Sequence, residues 1–329
     1  MIEGAIMVGT VGQGVMRSTD GGECWRRQGV DDGLHSDAIV RALAVHPTDS
    51  RIVFAGSDRG LYRSDDSGAK WRRQDVPFNE SWVWTLAIDP SRPERIFAGI
   101  GTPTPAALYR SVDGGRQWRR CQIEIAAKCD NVGTPRPTAI AVDPANGDLV
   151  WLGIEVDGVR VSSDGGEVWG LPAAPIANPD IHNIVVALGP PKTVFVVTSD
   201  SVLKSTDDGR SWTSTGLTEV EPSLTSYPRG IAPGPRGTSE MWITSGNTTP
   251  GETGSIVHTQ DFGSTWVVRN LSHAPNSAMW CISTHSDQQN VMFAASRYGY
   301  LYSSEDAGSS WQKLEREFGE IATVVALRA

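Results

Sequence analysis

The chain has 329 residues, 38 of them acidic and 29 basic, for a net charge of −9, so it lacks the basic balance that drives binding to duplex nucleic acid or an anionic membrane, and neither is an expected partner. No apolar run approaches the roughly 18 residues of a membrane helix, and the first eight residues carry no basic region ahead of an apolar stretch, so the cytoplasm is the expected location. The four cysteines, Cys24, Cys121, Cys129 and Cys281, show no C-x-x-C spacing, which excludes a disulfide framework or structural zinc as the organising feature.

In chain order, the first expected strands are 5–8, 14–18 and 24–28, and between the last two lies Ser18-Thr-Asp20-Gly-Gly22-Glu-Cys-Trp25. This pattern, Ser/Thr-x-Asp-x-Gly-x-x-Trp, returns around Asp66, Asp113, Asp164, Asp207, Asp261 and Asp306, at intervals of 43 to 54 residues. A period in that range with strand-like residues on both sides of a turn is the mark of a four-stranded propeller blade, and seven copies predict seven blades. The motif suits a hairpin turn: Gly supplies positive φ, Asp is a short acceptor for turn N–H groups, and Trp covers the turn while its indole N–H seeks an acceptor.

The second unit predicts strands A to D at 39–45, 51–55, 60–64 and 70–74, with A innermost. The alanine-rich signature of strand A returns at Leu86-Ala87-Ile88, Ile140-Ala141-Val142 and Val186-Ala187-Leu188, and less clearly at Ile231 and Ile282. The first unit lacks this strand. Ile321-Ala-Thr-Val-Val-Ala-Leu-Arg328 supplies it from the other end of the chain, so the C-terminal strand is expected to pair with the N-terminal blade and close an all-β, seven-bladed ring of antiparallel strands, one domain over residues 1–329.

The octapeptide resembles the Asp-box, or bacterial neuraminidase repeat, of the sialidase-like superfamily, and the resemblance covers essentially the whole chain. It implies that Asp20, Asp66, Asp113, Asp164, Asp207, Asp261 and Asp306 are structural, on a face away from function. Proteins of this type include sialidases, xyloglucan-cleaving hydrolases, the sortilin ectodomain and a photosystem II assembly factor. Sialidases of this kind have six blades and a Phe/Tyr-Arg-Ile-Pro segment; seven boxes and no such segment occur here.

Box turns and A-to-B turns share one face, so function is expected at the other, where the long connections 29–38, 75–82, 121–136, 170–182, 214–227 and 268–278 meet the heads of the A strands. The alternation of strand residues places Arg41, Trp84, Thr138, Ile184, Arg229, Trp280 and Thr323 in one register, with Trp82, Arg136, His182 and Tyr227 two residues earlier. Arg41, Arg136 and Arg229 suit an anionic group, and Trp82, Trp84, Tyr227 and Trp280 a sugar or aromatic ring. Glu155, in the B-to-C loop of blade four, and His182, entering blade five, are the catalytic acid/base candidates. His35, His182 and His273 are weak metal-ligand candidates; the sequence requires no cofactor but leaves a divalent metal open.

The expected function is binding of a small molecule or oligosaccharide in the loop-rich mouth, as a glycoside hydrolase-like or lyase-like enzyme on an anionic or aromatic substrate. The alternative is a non-catalytic interaction or assembly scaffold that docks a protein partner on the rim formed by Arg26, Arg72 and Arg119, each following a box Trp.

Overall fold

The structure, a computed structural model, describes residues 2, 4–130, 132–234, 239–285 and 288–328. Seven antiparallel sheets follow one another round a ring. Their innermost strands are Ile321–Ala326 for blade one, then Val40–Val45, Trp82–Ile88, Arg136–Val142, Ile181–Ala187, Ile231–Pro233 and Met279–Thr284 for blades two to seven. Each touches the next, and the last meets the first, so the circuit is closed. Closure is made as expected: Ile321–Ala326 pairs with Ile6–Thr10, setting Val324 against Val8 and Ala326 against Ile6. Among the described residues no helix is long and apolar enough to cross a membrane.

The outermost strands are shorter than their sequence suggests, two residues each, as in Arg26–Arg27 and Arg72–Arg73. In blade four the fourth strand shrinks to a bridge between Val161 and Gly170, and Gln122 pairs in parallel beside Val168. Short edges leave little unpaired backbone to template aggregation.

The octapeptide builds the same turn seven times. In the second copy Ser64 Oγ donates to Asp66 Oδ1 at 2.8 Å and accepts from Gly68 N at 2.8 Å, while Asp66 Oδ1 accepts from Lys70 N at 2.8 Å. Side chains thus satisfy the N–H groups that the hairpin leaves over. The indole N–H of Trp25, Trp71, Trp118 and Trp169 donates to the carbonyl of its own box Gly. Trp212 and Trp266 donate instead to Ala174 and Thr215.

Each box Trp does more than cover its turn. It packs on the large strand-B side chain of the preceding blade: Trp71 shares a core with Met7, Trp118 with Phe54, Trp169 with Phe97, Trp212 with Trp151, Trp266 with Phe195, Trp311 with Trp242, and Trp25 with Phe293. The apolar core is therefore a ring of seven inter-blade layers. The box Gly has a second reason to be Gly, since a Cβ on Gly166 would lie 2.5 Å from the Phe97 ring. Basic residues just before the box staple the blades on the same face: Arg63 donates to Gly114 O at 3.1 Å, Arg110 to Gly165 O at 2.7 Å, and Lys204 to Phe262 O at 2.9 Å. Box turns also bond to A-to-B turns, Ser67 N to Arg51 O for example, which places both on one side of the ring.

Candidate functional site

The A strands do not run in strict alternation. In blades one, two, three, four, five and seven one residue is left over near the strand head, and the register slips past Ala322, Arg41, Trp84, Thr138, His182 and Trp280. An extra residue makes a β-bulge, which bends the strand and re-aims that side chain. These six residues line a single axial cavity of about 300 Å³, together with Asn183 and Arg229. Strand B keeps pace by using small residues opposite the bulge: a Cβ on Gly99 would meet Pro137 at 2.5 Å and Thr85 at 2.7 Å.

The register read from sequence is corrected in blades one and five: in blade one Ala322, not Thr323, stands at the bulge. His182, not Ile184, is the counterpart of Arg41 and Trp84; Ile184 is 3% exposed and packs between blades. Ile184 pairs with Val196 as Leu43 pairs with Ala55, so the alanine of Val186-Ala187-Leu188 stands two residues further along its strand than Ala44 does.

Two tryptophans organise the charge. Trp84 has the Arg41 guanidinium 4.3 Å from its ring centre and that of Arg136 at 5.1 Å. Trp280 has Arg229 at 4.1 Å and Arg297 at 4.8 Å. One arginine of each set is neutralised, Arg136 by Glu155 at 2.9 Å and Arg297 by Glu320 at 3.3 Å. Arg41 and Arg229 have no carboxylate within ion-pair distance among the described residues. Burial lowers the pKa of Arg41; Glu320 opposes this, Arg136, Arg229 and Arg297 add to it, and the result is about 10. The Arg41 Nε and Trp84 Nε1 atoms are buried without hydrogen-bond partners. Trp82 stands beside Trp84, ring centres 5.7 Å apart, and also faces Arg41.

Glu155 and His182 do not meet. Glu155 Oε2 accepts from Arg136, whereas His182 sits buried with Nδ1 2.8 Å from Pro228 O and Nε2 3.3 Å from the Tyr227 hydroxyl. A carbonyl only accepts, so Nδ1 carries the proton and Nε2 receives the Tyr227 hydroxyl. Burial, with Arg229 nearby, lowers the pKa of His182, against the opposing pull of Asp180 3.7 Å away. The expected proton-sharing pair is thus replaced by two separate arrangements, Glu155 with Arg136 and His182 with Tyr227.

The metal candidates are dispersed. His35 is exposed and bonds Asp37 at 2.7 Å, His273 is exposed beside Ser272, and only His182 reaches the cavity. No group of three His, Cys, Asp or Glu side chains gathers among the described residues.

On the rim, Arg26 pairs with Asp32 at 2.7 Å and Arg72 with Asp65 at 2.6 Å. Their neighbours Arg27 and Arg73 tie down loop carbonyls, at Ser36 and at Arg59 and Asn79. Arg119 is exposed without an ion pair among the described residues. Sequence reasoning missed Arg297 and Glu320. Both flank strands rather than head them, and their signal was position: Arg297 follows strand B of blade seven as Glu155 ends strand B of blade four.

Residues 13–143 match the Sortilin-Vps10 family (sortilin, neurotensin receptor 3), which is less than half of the chain. No curated protein matches the sequence. Among solved structures, the chain resembles the GH74 xyloglucanase from Xanthomonas campestris, at 17% identity and a TM-score of 0.72, covering 95% of this chain and 53% of that one. It therefore spans about half the length of that enzyme. YCF48 from Cyanidioschyzon merolae is similar at 14% identity and a TM-score of 0.60, over 86% of this chain and 88% of its own. YCF48 bound to D1 peptide matches at 16% identity and 0.56, over 84% and 82%. At such identities these likenesses establish a shared propeller fold and nothing finer.

Proposed function

We propose that the axial funnel binds a small anionic ligand, such as an acidic sugar or an aromatic acid, and that this is the primary activity of the protein. The observation that carries it is the pair Arg41 and Arg229: two guanidiniums lining one cavity, each stacked on a tryptophan and neither matched by a carboxylate. Holding unpaired charge in a half-buried site is costly, and an incoming anion relieves that cost. Trp84 and Trp280 supply ring surface beside the clamps. Catalysis at this site draws on Tyr227 and His182 for proton transfer, because Arg136 already engages Glu155. The octapeptides are Asp-boxes in this reading, with a purely structural part.

A thermal-shift series tests the binding. Glucuronate, galacturonate and benzoate are expected to stabilise the protein while glucose does not, and Arg229→Met is expected to reduce the shift. Equal shifts with glucose, or none with any acid, contradict the reading.

A second reading keeps one supporting observation. Arg119 is exposed on the rim with no ion pair among the described residues, and YCF48, of the same fold, is described with a bound D1 peptide. Under it, Arg119→Glu eliminates capture of an acidic peptide and Arg229→Met does not.

A further inference from the structure

The two unpaired guanidiniums stand as far apart as a ring of seven permits. Arg41 belongs to blade two and Arg229 to the head of blade six, three blades apart by the shorter way round. Each is the unpaired member of a repeated device: a tryptophan flanked by two arginines, one neutralised by a glutamate. The first device takes Arg41, Trp84, Arg136 and Glu155 from blades two to four, and the second takes Arg229, Trp280, Arg297 and Glu320 from blades six, seven and one. The same cavity is lined by the apolar Leu43, Leu86, Ile140 and Ile282 and by the polar Thr138, His182, Asn183 and Thr323.

Resting on the anion-binding reading, we infer that the ligand is two-headed: an organic acid with two carboxylates joined by a short carbon spacer, one end on Arg41 and the other on Arg229. A single carboxylate satisfies one guanidinium and leaves the opposite one uncompensated in the same cavity. A two-headed anion neutralises both.

Calorimetric titration of the full chain at low salt decides it, with succinate, glutarate and adipate against butyrate, valerate and hexanoate of matching length. The best diacid is expected to bind about 10-fold or more tightly than its monoacid, a margin equivalent to one lost charge-assisted contact. Arg41→Met and Arg229→Met should each bring that ratio to about one. Equal affinities for diacid and monoacid in the unaltered protein overturn the two-headed ligand and leave the anion site standing, as does a ratio that survives both substitutions. Absence of binding by any of the six acids overturns both inferences. The comparison within the unaltered protein stands on its own should a variant fail to fold.

Discussion

The Arg41 guanidinium carbon lies 4.3 Å from the centre of the Trp84 ring, and its ion-pair distance contains no carboxylate among the described residues. Cation and ring come from adjacent blades, and both stand at bulges that turn them toward the axis. Like charges at Arg136, Arg229 and Arg297 oppose its ionisation. Arg41→Met is accordingly expected to keep or raise stability, by about 0 to 1 kcal/mol in urea denaturation, while weakening anion binding. A loss above about 2 kcal/mol would show that Arg41 is a structural residue.

The box turn makes the opposite demand. Ser64 is buried and both donates to Asp66 and accepts from Gly68 N. Ser64→Ala leaves that N–H unsatisfied and is expected to cost about 1–3 kcal/mol. Ligand affinity in the funnel, measured by calorimetry, should be unchanged.

His182 gives the pH dependence. Its pKa is lowered in the folded protein by burial, with Arg229 adding to the effect and Asp180 opposing it. The unfolded chain, with an ordinary histidine, therefore binds a proton first as pH falls. Stability is fully present above the ordinary histidine value of about 6.5 and declines below it, toward the depressed folded value. Urea denaturation from pH 7.5 to 5 should show this slope, and His182→Gln, which titrates no proton there, should reduce it. An identical slope in the variant contradicts a neutral, buried His182.

Closure rests on the pairing of Ile321–Ala326 with Ile6–Thr10. Deleting residues 320–329 exposes the edges of blade one and uncovers Ile6 and Val8, which pack with Ile321 and Val324. The truncated chain is expected to be insoluble. A soluble truncation with a cooperative melt would mean that the ring does not depend on this strand.

The blades were legible because one turn, spelled seven times, carries its chemistry in the side chains themselves: Ser, Asp, Gly and Trp each have a local bond to make. Strand A of blade one was legible from the opposite terminus for the same reason of repetition. Arg41, Trp84, Arg229 and Trp280 were found because strand heads at the loop-rich end converge. What failed was register. In blade five the alanine of Val186-Ala187-Leu188 stands two residues beyond the position of Ala44 in blade two, so His182 was set two places from its true equivalents and Ile184 took its place. Pairing failed too: Glu155 is claimed by Arg136, a choice fixed by the cross-strand pairing of Arg136 with Glu155 and invisible to spacing along the chain. Arg297 and Glu320 meet through the joining of blades seven and one, a contact that exists only in the closed ring.

A crystal structure of the protein soaked with its best acidic stabiliser bears most directly on the funnel. Density for a carboxylate within hydrogen-bond distance of Arg41 or Arg229, inside the cavity bordered by Trp84 and Trp280, is the predicted result. An empty funnel at saturating ligand, or a ligand bound on the box face or at Arg119, would contradict it.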